Sequence, residues 1–208
     1  NIETDSYTLP RVDESLASLD GNCHFTSLDM KEAFWSVPMD VKSRSYTAFQ
    51  TPDGLFQYRR LPMGLKTASA VFCRYVDVML GTMKWTEVMA YVDDLLVFGK
   101  TVDEHLGSLE KLLPRLASYN MTLGAKKCTF FAPSVRFLGH IIDKNGVHQD
   151  PVKTKAIKEL KLPQDAKGML RALGILQYYR KFVKNYTNIE KPLRMKTDWP
   201  KPAMGWSW

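Results

Sequence analysis

Residues 88–98 place the tightest constraint on what this chain can fold into. Val88-Met89-Ala90-Tyr91-Val92 and Leu95-Leu96-Val97-Phe98 are two apolar runs of strand length, separated only by Asp93-Asp94. Such runs beside turn residues read as strands. A two-residue connection makes them a hairpin, with Asp93-Asp94 as its turn. Apolar flanks on both sides place that hairpin in a core. Aspartate is a common turn residue, so the pair alone has an ordinary structural explanation. Two adjacent anions beside a core are nevertheless unfavourable, because they repel one another and lose hydration. A divalent cation held by carboxylate oxygens is the usual compensation, and Mg2+ suits hard oxygen ligands with few protein contacts.

A second carboxylate has a similar setting. From Cys23 to Met30 the chain alternates, with Cys23, Phe25, Ser27 and Asp29 on one face. Lys31-Glu32-Ala33-Phe34-Trp35 then reads as a helical turn. Placed beside the 88–98 hairpin, this strand brings Asp29 to Asp93. Two metal ions ~3.5–4 Å apart at such a site activate an attacking hydroxyl and stabilise a leaving phosphate.

Around these segments the reading is coarser. Val12, Leu16 and Leu19 recur at helical spacing over residues 7–22. Ser45 to Phe49 and Phe56 to Leu61 bracket Pro52-Asp53-Gly54 as a hairpin. Ala70 to Leu80 reads as a helix with Val71, Phe72, Tyr75, Val76 and Met79 on one side. Thr101 and Glu104 form a capping box that opens a helix over 101–125. Val135 to Ile142 and Gly146 to His148 flank the turn Asp143-Lys144-Asn145-Gly146. Asp150 caps a helix with Pro151 at its first position, running to Leu160, and a second helix spans about 164–183. The best domain boundary lies near residue 149, where strands give way to basic helices.

Bulk properties narrow the class. A chain of 208 residues with 45% hydrophobic and 25% charged residues is a folded one. No apolar run approaches the ~20 residues of a membrane span. The start, Asn1-Ile2-Glu3-Thr4-Asp5, lacks the basic and apolar regions of a secretory signal and an initiator Met, so a processed, trimmed or excised chain is expected. Cys23, Cys73 and Cys128 lie about fifty residues apart, which argues against a disulfide framework or zinc knuckle and fits a reducing compartment. His24, His105, His140 and His148 also lack ligand spacing. The formal charge of +7 is uneven: residues 1–125 carry a net of −4 and residues 126–208 a net of +11. A basic third on an acidic body suggests a polyanion partner, nucleic acid ahead of a membrane surface. A solvated lysine-rich surface accounts for the charge equally well.

An ordered series of motifs resembles the reverse transcriptase of gypsy-type LTR retrotransposons, a relative of retroviral reverse transcriptases. The series comprises Tyr7-Thr8-Leu9-Pro10-Arg11, Phe25 to Phe34, Leu61-Pro62-Met63-Gly64-Leu65-Lys66-Thr67-Ala68, Tyr91-Val92-Asp93-Asp94, Lys127-Cys128-Thr129-Phe130, Phe137-Leu138-Gly139-His140 and Leu173 to Phe182. A lone Tyr-x-Asp-Asp box is weak; the series in order is specific.

The resemblance implies functions for individual residues. Asp29, Asp93 and Asp94 would form the catalytic triad and hold two Mg2+ ions, with Mn2+ a substitute. Phe34 would lie under the incoming sugar and exclude a 2′-hydroxyl; its alternative is core packing. Met63 and Gly64 would lie against the nascent base pair. Lys127 would protonate pyrophosphate, with Lys126 as its rival. Phe137, Leu138, Gly139 and His140 would form the primer grip. Lys153, Lys155, Lys158, Arg171, Arg180, Lys181 and Lys184 would track the duplex backbone from a thumb.

The implied fold is α+β: a reverse-transcriptase-type palm over 1–149, an antiparallel sheet packed on helices, followed by a small helical thumb over 150–208. The upstream fingers that clamp the triphosphate would be largely absent, as would ribonuclease H and integrase domains. Ser69 departs from the family, where many relatives carry Pro. The implied activity is RNA-directed DNA polymerisation by a two-metal mechanism, as part of a Pol polyprotein. Its partners would be an RNA or DNA template with primer, deoxynucleoside triphosphates and the other Pol domains. It would act in the cytoplasm, within virus-like particles. The alternative is a nucleic-acid-binding remnant that has lost turnover with its fingers.

Overall fold

The computed structural model describes Tyr7, Leu16 and residues 19–195. Most of the helix expected over 7–22 lies outside the described residues. The chain divides into two compact units, Asn1–Val147 and His148–Trp208.

The first unit is built on β1 (His24–Lys31). It pairs antiparallel with β5 (Asp94–Gly99), which pairs in turn with β4 (Val88–Tyr91). On its other side β1 takes up β6 (Thr122–Leu123) and β7 (Thr129–Ala132). The two-residue period of a strand sorts the side chains. Leu28, Met30, Val88, Leu95 and Val97 point to one face and Phe25, Met89, Leu96 and Phe98 to the other, all buried. The first face packs against α1 (Ala68–Leu80) and α2 (Val102–Ser118), through Phe72, Val76, Met79, Leu112 and Leu116. The second packs against Leu16, Leu19, Val135, Phe137 and Ile142. Burial on both faces explains why the 88–98 runs are continuously apolar rather than alternating.

Helix α1 begins at Ala68, two residues before the expected start, and ends against Gly81 at φ 53°. Ser69, in its first turn, is exposed and interrupts nothing. The capping box of α2 forms as expected: the Thr101 hydroxyl accepts from the Glu104 amide at 3.2 Å, and Glu104 accepts from the Thr101 amide at 3.4 Å. This helix stops at Ser118, not 125. Asn120 turns into the left-handed region, the Asn120 amide bonds Ala117 O at 3.0 Å and the Met121 amide bonds Leu116 O at 2.9 Å. This is a Schellman termination. It frees Thr122–Leu123 to pair with β1.

Two expected hairpins also change. The strand over 45–49 is mostly a 3-10 helix, Val41–Thr47, held by the Asp40 carboxylate on the Lys42 amide and by Ser45 and Thr47 hydroxyls bonding back to main-chain carbonyls. Such local bonds compete with a ladder. Only β2 (Phe49–Thr51) and β3 (Gly54–Phe56) pair around Pro52-Asp53. The strand expected over 135–142 breaks into β8 (Ser134–Phe137) and β9 (His140–Asp143), because Leu138 and Gly139 both take positive φ, at 47° and 69°. Two such residues make a tight hairpin turn. Next comes β10 (Gly146–Gln149), which pairs with β9.

Among its described residues the second unit holds three α-helices. In α3 (Pro151–Lys158) the Asp150 carboxylate caps the Val152 amide at 2.9 Å. In α4 (Ala166–Tyr178) Asp165 caps the Gly168 amide at 2.6 Å. The helix expected to reach Val183 ends at Tyr178 and passes into a 3-10 turn, Arg180–Phe182. A third helix, α5 (Tyr186–Met195), had no sequence expectation. Met169, Ala172, Leu173 and Tyr179 are buried here.

One polar cluster joins β1, α2 and β7. The fully buried His105 places Nε2 2.8 Å from the Thr26 hydroxyl, which accepts from the Phe131 amide at 3.0 Å. The rings of Phe131 and His105 meet edge to face at 5.1 Å. A Cβ on Gly99 would stand 2.9 Å from the His105 amide nitrogen, so only glycine lets β5 end this close to α2. Burial first, and the neighbouring His24 second, hold the imidazole below its ordinary 6.5. The folded state therefore favours neutral His105. Its contribution is complete above pH 6.5 and is lost as pH falls from there toward the lowered folded value. Denaturant midpoints between pH 7.5 and 5.5 should fall in the parent and fall less in His105→Gln; equal slopes would remove His105 as the source.

Candidate active site

The β1–β5 register sets Asp29 directly opposite Asp94. Opposed residues of an antiparallel pair share a face, so both carboxylates stand on the face away from α1 and α2. The Met30 amide carries the ladder one step further, donating to Asp93 O at 3.1 Å. Across the β4–β5 hairpin the closing pair is Tyr91 with Asp94. The connection is therefore Val92-Asp93, one residue earlier than the Asp93-Asp94 turn expected from the sequence. Asp94 is drawn into the strand because it is paired on both sides.

The turn is strained. Val92 has φ 53°, a region that β-branched residues rarely adopt and that clusters at functional sites. It packs on the helix-side core. Beneath it, burial pushes the Cys73 thiol up, opposed by Lys84 and by a hydrogen bond from the Val92 backbone.

The charges are crowded. Burial, then the charges of Asp93 and Asp29, push the Asp94 carboxyl up, with Lys127 acting against them. The Lys127 ammonium lies 3.1 Å from Asp29 Oδ1. Gly124 makes this approach possible: its amide donates to Asp29 O at 2.9 Å, and a Cβ there would stand 3.1 Å from Asp29 Oδ2. Sequence reading missed Gly124. The only available signal was a glycine two residues ahead of the Lys126-Lys127 pair.

An open cleft of about 520 Å³ is lined by Asp29, Phe34, Met63, Asp93, Lys126 and Lys127, among others. Five of these come from four separate motifs, which are brought together only by the fold. Phe34 is half-buried and also packs on Phe72, ring centroids 4.9 Å apart, so it touches both core and cleft. Gly64 follows Met63 with φ 90° and is exposed. Of the two lysines, Lys127 is the one shown reaching a carboxylate.

The remaining candidates lie elsewhere. Phe137 and His140 close the β8–β9 hairpin and are buried, with His140 Nδ1 2.8 Å from Leu138 O; Leu138 and Gly139 are half-buried at its tip. Lys153, Lys155, Lys158, Arg171, Arg180, Lys181 and Lys184 are all exposed on the second unit. Lys155 stands 3.9 Å from Glu159, and Lys181 lies over the Phe182 ring at 5.2 Å.

Among the described residues, no three His, Cys, Asp or Glu side chains are gathered closely enough to hold a metal ion as they stand. The donor chemistry still fits one. Asp29, Asp93 and Asp94 are hard oxygen donors, with Lys127 the cation acting against the raised Asp94 carboxyl, and their mutual repulsion is what a divalent cation relieves. Among the described residues, no helix is long and apolar enough to cross a membrane.

The family profile described as reverse transcriptase (RNA-dependent DNA polymerase) matches residues 1–142. The chain is 38% identical over 190 residues to the retrovirus-related Pol polyprotein from transposon 297 of Drosophila melanogaster, covering 91% of this chain and 18% of that protein. It is 33% identical over 189 residues to the Pol polyprotein from transposon gypsy of the same organism, again covering 91% and 18%. The enzymatic polyprotein of Figwort mosaic virus (strain DxS) is 35% identical over 207 residues, covering 98% of this chain and 30% of that protein. Among solved structures, the foamy viral protease-reverse transcriptase dRH in complex with double-stranded DNA superposes with a TM-score of 0.85 at 27% identity, over 93% of this chain and 34% of that one. The same viral protein in complex with an RNA/DNA hybrid gives 0.80 at 27% identity, over 93% and 26%. The chain thus spans less than a third of the length of these curated relatives, and the motif series, the α+β palm-like fold and the family profile agree. The chain belongs to the reverse transcriptase (RNA-dependent DNA polymerase) family.

Proposed function

We propose that this chain is the palm, over 1–149, and thumb, over 150–208, of a retrotransposon Pol polyprotein, and that it adds deoxynucleotides to a primer 3′ end on an RNA or DNA template. The observation that carries this reading is the gathering of Asp29 and Asp93 with Phe34, Met63 and Lys127 around one cleft, with Asp94 in register opposite Asp29.

In the reaction, the primer 3′-hydroxyl attacks the α-phosphorus of a deoxynucleoside triphosphate and pyrophosphate leaves. Asp29, Asp93 and Asp94 would hold divalent metal ions, which family members generally use, with Mg2+ favoured by the hardness of the oxygens. Two such ions, once bound, polarise the attacking hydroxyl and stabilise the leaving phosphate. Lys127, already beside Asp29, donates a proton to pyrophosphate, and its charge moderates the repulsion among the carboxylates. Phe34 presents a ring backed by Phe72, a rigid obstacle to a 2′-hydroxyl. Met63 and Gly64 face the nascent pair, where glycine permits close backbone approach. The tight turn of the Phe137–His140 hairpin seats the primer end, held by its two buried flanking side chains. The exposed cations of the second unit neutralise duplex phosphates. In its parent polyprotein the chain would work beside ribonuclease H and integrase domains, inside cytoplasmic virus-like particles. Retained duplex binding without any extension would instead favour a binding remnant.

Asp93→Asn should abolish primer extension while leaving duplex affinity unchanged or tighter, since one repelling charge is gone. As an independent readout, Mg2+ should raise the melting temperature of the parent more than that of the variant. Extension within about twofold of the parent rules out this use of Asp93.

Phe34→Ala should raise the ratio of ribonucleotide to deoxyribonucleotide incorporation, measured in parallel single-turnover reactions. A general loss of activity at unchanged selectivity would assign Phe34 to core packing alone.

Gln at Lys153, Lys155 and Lys158 together should weaken duplex binding at low salt and flatten the slope of log affinity against log salt, by roughly 0.7–0.9 per true contact. An unchanged slope would leave these lysines as a solvated surface.

A further inference from the structure

Both carboxylate oxygens of Asp29 already face neighbours. Lys127 Nζ lies 3.1 Å from Oδ1. Gly124 stands against the other oxygen, where a Cβ would come within 3.1 Å of Oδ2. A divalent cation on Asp29 needs at least one of these oxygens.

The two ends of Lys127 are held very differently. At its base, the Lys127 amide donates to Gly124 O at 2.8 Å within the 3-10 turn Ala125–Lys127. That turn is moored to β1: the Gly124 amide donates to Asp29 O at 2.9 Å, and the Cys128 thiol lies 4.0 Å from the same oxygen. At its tip, the lysine side chain is 73% exposed, against 24% for Asp29. An ion pair with one member this open is weak, because water and salt screen it and a long side chain loses freedom to hold it. A small doubly charged ion bound directly by carboxylate oxygens outcompetes an ammonium group on a flexible stem. Two cations on one carboxylate also repel each other. The base of Lys127 therefore stays in place while its tip is free to leave.

We propose that Asp29 exchanges partners: it holds the Lys127 ammonium while no metal is present and releases it when a divalent cation binds, with Gly124 as the positioning residue that leaves the carboxylate room to turn between the two. This rests on the polymerase reading above and adds an order to it. Lys127 reaches the leaving pyrophosphate only after the metal site is filled, so the proton donor is withheld from a triphosphate in an unloaded site. Until then its charge offsets the repulsion between Asp29 and Asp94, which the register sets opposite each other. Gly124 has φ −81° and ψ 79°, close to an inverse γ-turn and open to alanine. What glycine supplies here is space beside Asp29, not a special backbone shape.

Mn2+ titrations of the 208-residue chain, read by electron paramagnetic resonance of the free ion, test the exchange without turnover. Lys127→Gln should tighten Mn2+ binding by roughly threefold. Lys127→Arg keeps the charge but grips a carboxylate with a fork, so it should weaken binding by about threefold. A field effect of the charge alone would leave Lys127→Arg equal to the parent. It would also make Lys126→Gln, in the same cleft, as effective as Lys127→Gln; that pair of results overturns the proposal. Gly124→Ala should lower Mn2+ affinity by about tenfold, with a metal-free melting temperature near that of the parent. Unchanged affinity in Gly124→Ala overturns the part given to Gly124.

The lysine itself is followed by carbon NMR of the ε-methylene signals, with Lys127 assigned by its loss in Lys127→Gln. On addition of Mg2+ that signal should move to the position of an exposed lysine, and a signal that stays where it was overturns the exchange. Mn2+ binding and primer extension with a stationary lysine would sink the exchange and leave the polymerase reading standing. A parent that neither binds Mn2+ nor extends a primer would overturn both.

Discussion

The antiparallel register of β1 against β5 is the constraint on which the rest depends. It sets Asp29 opposite Asp94 and, through the Met30–Asp93 backbone bond, fixes where the turn begins. A slip of one residue would exchange the faces of every side chain on the strand. Asp29 would then point into the packing of α1 and α2, and Leu28 would take its place in the cleft. Apolar cover on both faces of the sheet makes such a slip expensive, so the core enforces the geometry of the carboxylates.

The carboxylates give nothing back to stability. Asp94 is held among like charges in a partly buried position, and Val92 occupies a backbone region hostile to its branched side chain. Both are local violations of folding rules at the place where the chemistry is concentrated. The cores on the two faces of the sheet, the capping box and Schellman ends of α2, and the close approach at Gly99 offset them. Lys127 and Gly124 belong to the same compromise: one supplies a cation, the other the room for it to come near.

Charge is organised at a finer grain than the two-part split of the sequence suggests. Summed over 125 residues, the first part is acidic. The catalytic cleft mixes both signs, with Asp29, Glu32 and Asp93 alongside Lys31, Lys126 and Lys127, whereas Arg44, Arg59 and Arg60 line a second cleft.

The sequence alone determined the strands around Asp93-Asp94, the alternating face that carries Asp29, the caps at Thr101 and Asp150, and the motif order that marks the family. Each is a short-range signal: a periodicity, a capping side chain, or residues adjacent in the chain. Tertiary structure decided the rest. The turn moved to Val92-Asp93 because Asp94 is paired on both sides, and pairing is not written in either strand separately. The helix after Thr101 ended early because Thr122–Leu123 had a partner in β1. Gly124 was invisible because its meaning lies in what stands next to it across the fold. Residues far apart in sequence acquire a common electrostatic field only when the backbone brings them within a few ångströms, and that distance is set by packing.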